Sequence, residues 1–288
     1  MKSVHIYIAI LALLFLPGKS SASQETEVFV GIPPLKYLVE QIAGDQVECH
    51  VLLKPGESPH TFEPTPRQMI DLSQSSFYFA LGFPFESRIT EKLGRDGKPG
   101  IIDIAEGTER RQVHSEAGTD EHHPHTDTDD PHVWLSPENV RIMARNIERV
   151  LEDYDPSDSL VYRNRLKDFL HELDSLDRII DSLISPYRRS TIMVFHPAFG
   201  YFTDYYGLDQ IAVETDGKSP SPKQIESIIE RARESGIRVI FVQPRFDPKS
   251  AESIAGAIDG KVVPIDPLEN NLLQNLLDIA EKIRDALK

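Results

Sequence analysis

Four side chains of this sequence have the types and surroundings to bind one transition-metal ion. His60 lies in a proline-rich loop, His132 closes a long polar loop, and His196 and Asp266 each follow directly after a short apolar run. Three imidazole nitrogens and one carboxylate oxygen form a donor set that four-coordinate zinc accepts. Manganese favours more oxygen donors, although donor type alone does not decide selectivity. The residues therefore predict a divalent-metal site of the zinc type, in which each ligand is deprotonated when the ion binds.

The segments before these residues have the length and composition of buried β-strands. They are rich in Val, Ile or Phe and are bounded by Gly, Pro or polar residues, and helical patterns lie between them. Alternation of this kind predicts an α/β fold of two lobes, each with a roughly four-stranded parallel sheet flanked by helices. The predicted strands are 28–32, 47–53, 77–81 and 101–104 in the first half, and 191–195, 210–213, 239–242 and 262–265 in the second.

All four candidate donors fall beyond the carboxyl ends of predicted strands, where open α/β sheets place their ligands. Two come from each half, so we expect them to converge on a cleft between two lobes. An apolar stripe with spacings of three and four predicts a helix over 157–185, about 40 Å long, that joins the lobes rigidly. The predicted division is a signal peptide (1–22), an N-terminal α/β lobe (23–154), the linking helix (155–187) and a C-terminal α/β lobe (188–288).

The N-terminus has the pattern of a secretory signal peptide. Lys2 precedes an apolar run over 6–16 that is too short to span a membrane, and small residues up to Ala22 offer a cleavage site. No cysteine follows the run, so the pattern does not predict a lipid anchor. We expect a periplasmic protein, cleaved near Ala22. Cys49 alternates with valines and is predicted to be a buried apolar side chain.

Composition bounds the possible partners. Apolar residues make up 40% of the 288 residues, which is ordinary for a globular protein, and the formal net charge is -15. An acidic surface repels nucleic acid and anionic lipid, so we expect neither as a partner. We expect a monomer.

The segment 105–131 carries acidic residues and almost no large apolar ones, and it is predicted to be a surface loop within the N-terminal lobe. Its histidines are either secondary, weaker metal ligands or part of a solvated spacer, and both interpretations stay open. Deletion of 107–128 should leave the high-affinity site intact and lower the number of zinc ions bound. The four loop histidines are His114, His122, His123 and His125.

At these residues the sequence resembles the metal-specific substrate-binding proteins of ABC importers, especially the periplasmic zinc-uptake branch. The resemblance implies that His60, His132, His196 and Asp266 hold the transported Zn²⁺ and that a membrane permease receives it. It also implies that the linking helix limits closure of the lobes. The matching stretches are GESPHTFEPTP (56–66), DPHVWLSP (130–137), FHPAFGYF (195–202), VETDGKSPSPKQI (213–225) and VVPIDPLENN (262–271).

Three alternatives remain. A carrier of Mn²⁺ or Fe²⁺ with the same fold would use a very similar site, and an adhesin would hold its metal structurally. A zinc-dependent hydrolase needs a general base near the metal. Glu63 is the candidate, but Pro64 and Pro66 exclude a helical HExxH arrangement with His60. We therefore expect no catalytic residue and no enzymatic activity. Asp130 and Glu214 are candidates to orient the imidazoles.

Overall fold

The computed structural model describes residues 26–93, 99–112, 129–214, 220–246 and 248–288. The predicted signal peptide and its cleavage site lie outside these residues. Within the described ranges, no helix has both the length and the apolar character needed to cross a bilayer.

The first half of the chain forms a four-stranded parallel sheet in the order β2-β1-β3-β4. After β2 the chain crosses back over β1 to form β3, so the connections diverge between β1 and β3, which is where α/β sheets open a ligand crevice. The strands are β1 (Thr26–Val30), β2 (Val47–Val51), β3 (Phe77–Ala80) and β4 (Gly100–Asp103). The helices are α1 (Pro33–Ala43), α2 (Pro66–Gln74), α3 (Pro84–Leu93) and α4 (Pro137–Tyr154).

The second half repeats this topology with the order β6-β5-β7-β8, again with parallel pairing. Its crevice therefore lies beyond the carboxyl ends of β5 and β7. The strands are β5 (Thr191–Val194), β6 (Asp209–Ala212), β7 (Val239–Val242) and β8 (Lys261–Pro264). The helices are α6 (Gly200–Tyr206), α7 (Pro222–Glu234), α8 (Pro248–Ala257) and α9 (Leu272–Leu287).

A single long helix, α5 (Ser159–Ile184), joins the two sheets. The predicted fold class, two four-stranded parallel sheets flanked by helices and joined by a long helix, is confirmed. The linking helix is packed along its length, because it contacts α1 and α4 of the first half and α9 of the second. Tyr162, Phe169, Leu173 and Ile180 are among its buried side chains. Helix α5 therefore packs against helices from both halves of the chain.

The apolar core follows the same plan. One large cluster of buried side chains runs through the first sheet, α5 and α9, and a second cluster lies between one face of the second sheet and helices α7 and α8. Cys49 belongs to the first cluster and is 4% exposed, which confirms the prediction of a buried apolar side chain. Burial raises the pKa of its thiol to about 12, so the thiol stays protonated at neutral pH.

Candidate metal centre

The structure brings three of the four predicted donors together. His60, His132 and His196 each place one ring nitrogen within 4.8 Å of the nitrogens of the other two. The Nε2 atoms of His60 and His196 are 3.1 Å apart. These residues come from loops in both halves of the chain, so the imidazoles meet at the cleft between the sheets.

His132 is positioned by a buried carboxylate. Asp130 is fully buried, and its Oδ1 accepts hydrogen bonds from the backbone N–H of His132 at 3.0 Å and from its Nδ1 at 2.6 Å. A short 3-10 helix, Val133–Leu135, follows directly and is buried. Within it, Trp134 donates Nε1–H to the carbonyl of Pro267 in the second half, 2.8 Å away. Because Nδ1–H is donated to Asp130, the lone pair of His132 lies on Nε2.

His196 follows β5 and is held at both its backbone and its ring. Its backbone N–H donates to Oε1 of Gln243 at 3.3 Å, and its carbonyl accepts from Nε2 of the same side chain at 2.9 Å. Nδ1 of the ring lies 3.2 Å from Oε2 of Glu214, which is buried. The ring of Phe246 stacks on the imidazole at a centroid distance of 5.3 Å. His196 therefore also directs Nε2 toward the other imidazoles.

His60 lies in the loop between β2 and α2. Its backbone N–H donates to Oγ of Ser58 at 3.3 Å, and its ring meets the edge of Phe83 at 6.2 Å. The loop ends at α2, where Thr65 and Gln68 form a reciprocal capping box. His60 as a residue remains exposed, although its ring is surrounded by Phe83 and the other two imidazoles. It is the most accessible of the three rings.

Two of the three imidazoles, those of His60 and His196, have lowered pKa values, which favours their neutral form. Desolvation of the ring, followed by the neighbouring imidazoles of His132 and His196, lowers the pKa of His60 to about 3. Desolvation also lowers the pKa of His196, against the opposing effect of Glu214. Both rings are therefore neutral at neutral pH, which is the form that binds a metal ion.

Asp266, the fourth predicted donor, lies outside the group of three. Its Oδ1 accepts hydrogen bonds from Nη1 of Arg245 at 2.6 Å and from the backbone N–H of Leu268 at 2.9 Å. Arg245 and Gln243 carry no signal in the sequence, because no spacing pattern marks a single Arg or Gln after a strand. A role for Asp266 as a metal ligand stays a prediction.

The other sequence candidates fall in three places. The loop histidines 114, 122, 123 and 125 lie outside the described residues, so their role stays a prediction. The ends of their segment meet in an antiparallel bridge between Gln112 and Asp129. Glu63, the candidate general base, pairs with Arg88 on α3. Asp130 and Glu214, the candidates to orient the imidazoles, contact the rings of His132 and His196 respectively.

A second group of possible donors lies on the first sheet. Glu27 and Glu48 are register partners on β1 and β2, and the Nε2 of His50 lies 3.6 Å from the carboxylate of Glu48. The ligand atoms of the three residues are within 4.8 Å of one another. This group cannot be found from the sequence, because it depends on the register between the two strands.

The fold and the three-imidazole group define a class of protein, the substrate-binding components of metal ABC transporters. A family model described as "Zinc-uptake complex component A periplasmic" matches residues 28–287. The chain belongs to this family, whose members are transport proteins.

Individual relatives agree with this assignment. A crystal structure of ZnuA superposes on this chain with a TM-score of 0.84 at 33% sequence identity. The match covers 91% of this chain and 99% of the ZnuA chain. A protein from Chlamydia trachomatis serovar D, named for metal binding, is 28% identical over 262 residues, 90% of either chain. The manganese ABC transporter substrate-binding lipoprotein PsaA of Streptococcus anginosus is 27% identical over 267 residues, which are 87% of this chain and 83% of the relative. The named metals therefore include both zinc and manganese.

Proposed function

We propose that this chain captures zinc in the periplasm and delivers it to the membrane permease of an ABC importer. The observation that carries the proposal is the convergence of His60, His132 and His196, each with a ring nitrogen within 4.8 Å of the others. The chain acts as a monomer after export, and the zinc ion is its cargo.

Zinc fits the donor set better than manganese does. Three imidazole nitrogens are one of the donor sets that four-coordinate zinc takes in proteins, which leaves a fourth position for water or a carboxylate. Manganese prefers oxygen donors and more of them. PsaA of Streptococcus anginosus is named for manganese, so manganese is the alternative cargo, with iron(II) as a further one.

The positions of the carboxylates support a preformed site. Asp130 and Glu214 are buried and contact the rings of His132 and His196, so two of the three imidazoles are oriented by partners behind them. Such partners fix the tautomer and raise the basicity of the ligand. The accessible His60 ring, from the same half of the chain as His132, then completes the group.

A competition titration tests the proposal. Purified mature protein is titrated with zinc in the presence of a chromophoric chelator, and the bound zinc is then challenged with excess manganese. We expect one tightly bound zinc ion that a modest excess of manganese does not displace. A variant lacking residues 113–128 should retain that ion, because the described site lies outside that segment. Displacement of zinc by a modest excess of manganese would contradict the choice of cargo.

A further inference from the structure

We propose that Arg245 determines the metal preference of the site by keeping the carboxylate of Asp266 away from the ion. The inference rests on the proposed function, since it concerns which donors the captured ion receives. It assigns Arg245 as a positioning residue that acts through Asp266.

The contact between the two side chains is close and partly buried. Nη1 of Arg245 donates to Oδ1 of Asp266 at 2.6 Å, and the side chains are 11% and 18% exposed. Hydrogen bonds between a guanidinium and a carboxylate are roughly twice as strong as those between neutral groups. The same Oδ1 also accepts the backbone N–H of Leu268 at 2.9 Å. Oδ1 of Asp266 therefore accepts two hydrogen bonds, one from Arg245 and one from the backbone of Leu268.

Arg245 is itself fixed by the other half of the molecule. Its Nε donates to the backbone carbonyl of Glu57 at 2.8 Å, and Glu57 lies in the same loop as His60. Arg245 thus contacts the loop of one predicted ligand and the side chain of another. The planar guanidinium can donate in two directions at once, which the single ammonium of a lysine does less well.

The residues around Arg245 tie it to the imidazole group. It follows β7 in the segment Gln243-Pro244-Arg245-Phe246. Gln243 bonds both backbone groups of His196, and Phe246 stacks on its ring. The segment that places His196 is therefore the segment that pairs with Asp266, and the two contacts are set together.

The chemical consequence is a nitrogen-rich donor set. A cation that recruits Asp266 must compete with the guanidinium for the negative charge of this carboxylate. While the ion pair persists, the site offers three imidazoles, which suits zinc, and withholds the anionic oxygen that manganese favours. Loss of the positive charge at position 245 should therefore favour manganese more than zinc.

A double-mutant cycle tests this inference on the mature protein. Zinc affinity is measured by chelator competition, and manganese affinity by electron paramagnetic resonance of the free ion, for the wild type, Arg245→Gln, Asp266→Asn and the double variant. Gln retains a donor for the carbonyl of Glu57 but carries no charge. We expect Arg245→Gln to raise manganese affinity about tenfold or more, and the double variant to lose that gain.

Two controls separate a specific effect from general damage. Arg245→Lys keeps the positive charge but loses one of the two directions of donation, so its manganese affinity should lie between those of the wild type and Arg245→Gln. The visible spectrum of bound cobalt(II) reports coordination directly: Arg245→Gln should shift it toward a higher coordination number, and the double variant should lose that shift. Should Arg245→Gln fail to fold, Arg245→Met, which also removes the positive charge, replaces it in the cycle with the same expected gain in manganese affinity.

The outcomes distinguish this inference from the proposed function. Tight zinc binding by the wild type, together with a loss above about tenfold in both Asp266→Asn and the double variant, would make Asp266 a zinc ligand and overturn the inference about Arg245 while leaving the proposed function intact. An unchanged manganese affinity in Arg245→Gln, or a gain that persists in the double variant, would also overturn it. Failure of the wild type to bind zinc would instead reject the proposed function.

Discussion

Two groups of possible metal donors occur in the described part of the chain, and they differ in what holds them. His60, His132 and His196 extend from loops that follow different strands, and buried carboxylates contact two of the rings. The second group, Glu27, Glu48 and His50, extends from two neighbouring strands. Both glutamates are exposed. The donors of both groups lie within 4.8 Å of one another, but buried partners hold only the first group in place.

The difference lies in the energy needed to organise each group. Asp130 and Glu214 hold their imidazoles in a fixed tautomer, and desolvation keeps the rings of His60 and His196 neutral, so an ion finds donors already arranged. The glutamates of the second group are exposed and carry like charges, so binding would have to order their side chains against this repulsion. Proximity therefore does not identify a metal site unless the surrounding residues also fix the donors.

The largest expected effect separates the two groups directly. Replacing His196 or His60 by Ala removes one of three imidazole donors and should lower zinc affinity by orders of magnitude. His50→Ala should leave zinc affinity unchanged, because His50 belongs to the second group of donors and not to the three imidazoles. Chelator competition on the three variants measures this. Equal losses for His50→Ala and His196→Ala would remove the distinction between the groups.

A smaller effect tests the supporting carboxylates. Asp130→Asn and Glu214→Gln keep the shape of each side chain but weaken the bond to the imidazole, and zinc affinity should fall about 10- to 100-fold. The effect of Asp130→Asn should be the larger, because its contact with His132 is 2.6 Å and that of Glu214 with His196 is 3.2 Å. Glu48→Gln, in the second group of donors, is the matched control and should leave zinc affinity unchanged. Unaltered affinity in both of the first two variants would argue against a positioning role.

The dependence on pH sharpens the comparison further. A folded-state pKa of about 3 for His60 lies below the usual value near 6.5, so the unfolded chain binds more protons between these pH values. The metal-free protein should therefore lose stability as pH falls from about 6.5 toward 3. His60→Ala should show a shallower loss over that range in urea unfolding experiments. An identical pH dependence in both proteins would mean that His60 titrates normally.

The smallest expected effect concerns stability alone. Glu27 and Glu48 are register partners, and like charges opposite each other destabilise a sheet. Glu27→Gln should raise the free energy of unfolding by a few tenths of a kcal/mol, up to about 1 kcal/mol, and added salt should reduce the difference. Thermal melts at low and high ionic strength measure it. A destabilised variant would indicate that the glutamate pair has a favourable partner.

The sequence predicts most of the fold and part of the site. The eight strands are found because each is a short apolar run between Gly, Pro or polar residues, and α5 (Ser159–Ile184) lies within the predicted range 157–185. Helix α6 (Gly200–Tyr206) is not predicted, because seven residues carry too little periodicity and its position depends on tertiary contacts.

The site divides in the same way. His60, His132 and His196 are predicted because each lies beyond the carboxyl end of a predicted strand, where open α/β sheets place their ligands. The pairing of Asp266 with Arg245 is not predicted, since it joins residues 21 positions apart through the relative placement of β7 and β8. Donor types can be read from a sequence, whereas the partners that hold or withhold each donor require the assembled sheets.

Anomalous diffraction at the zinc edge, on crystals of the mature protein soaked with one equivalent of zinc, tests the central claim most directly. We predict one strong peak at a zinc–nitrogen bonding distance, about 2.0–2.1 Å, from the rings of His60, His132 and His196. A principal peak beside Glu27, Glu48 and His50, or at any point out of reach of the three imidazoles, would contradict this account.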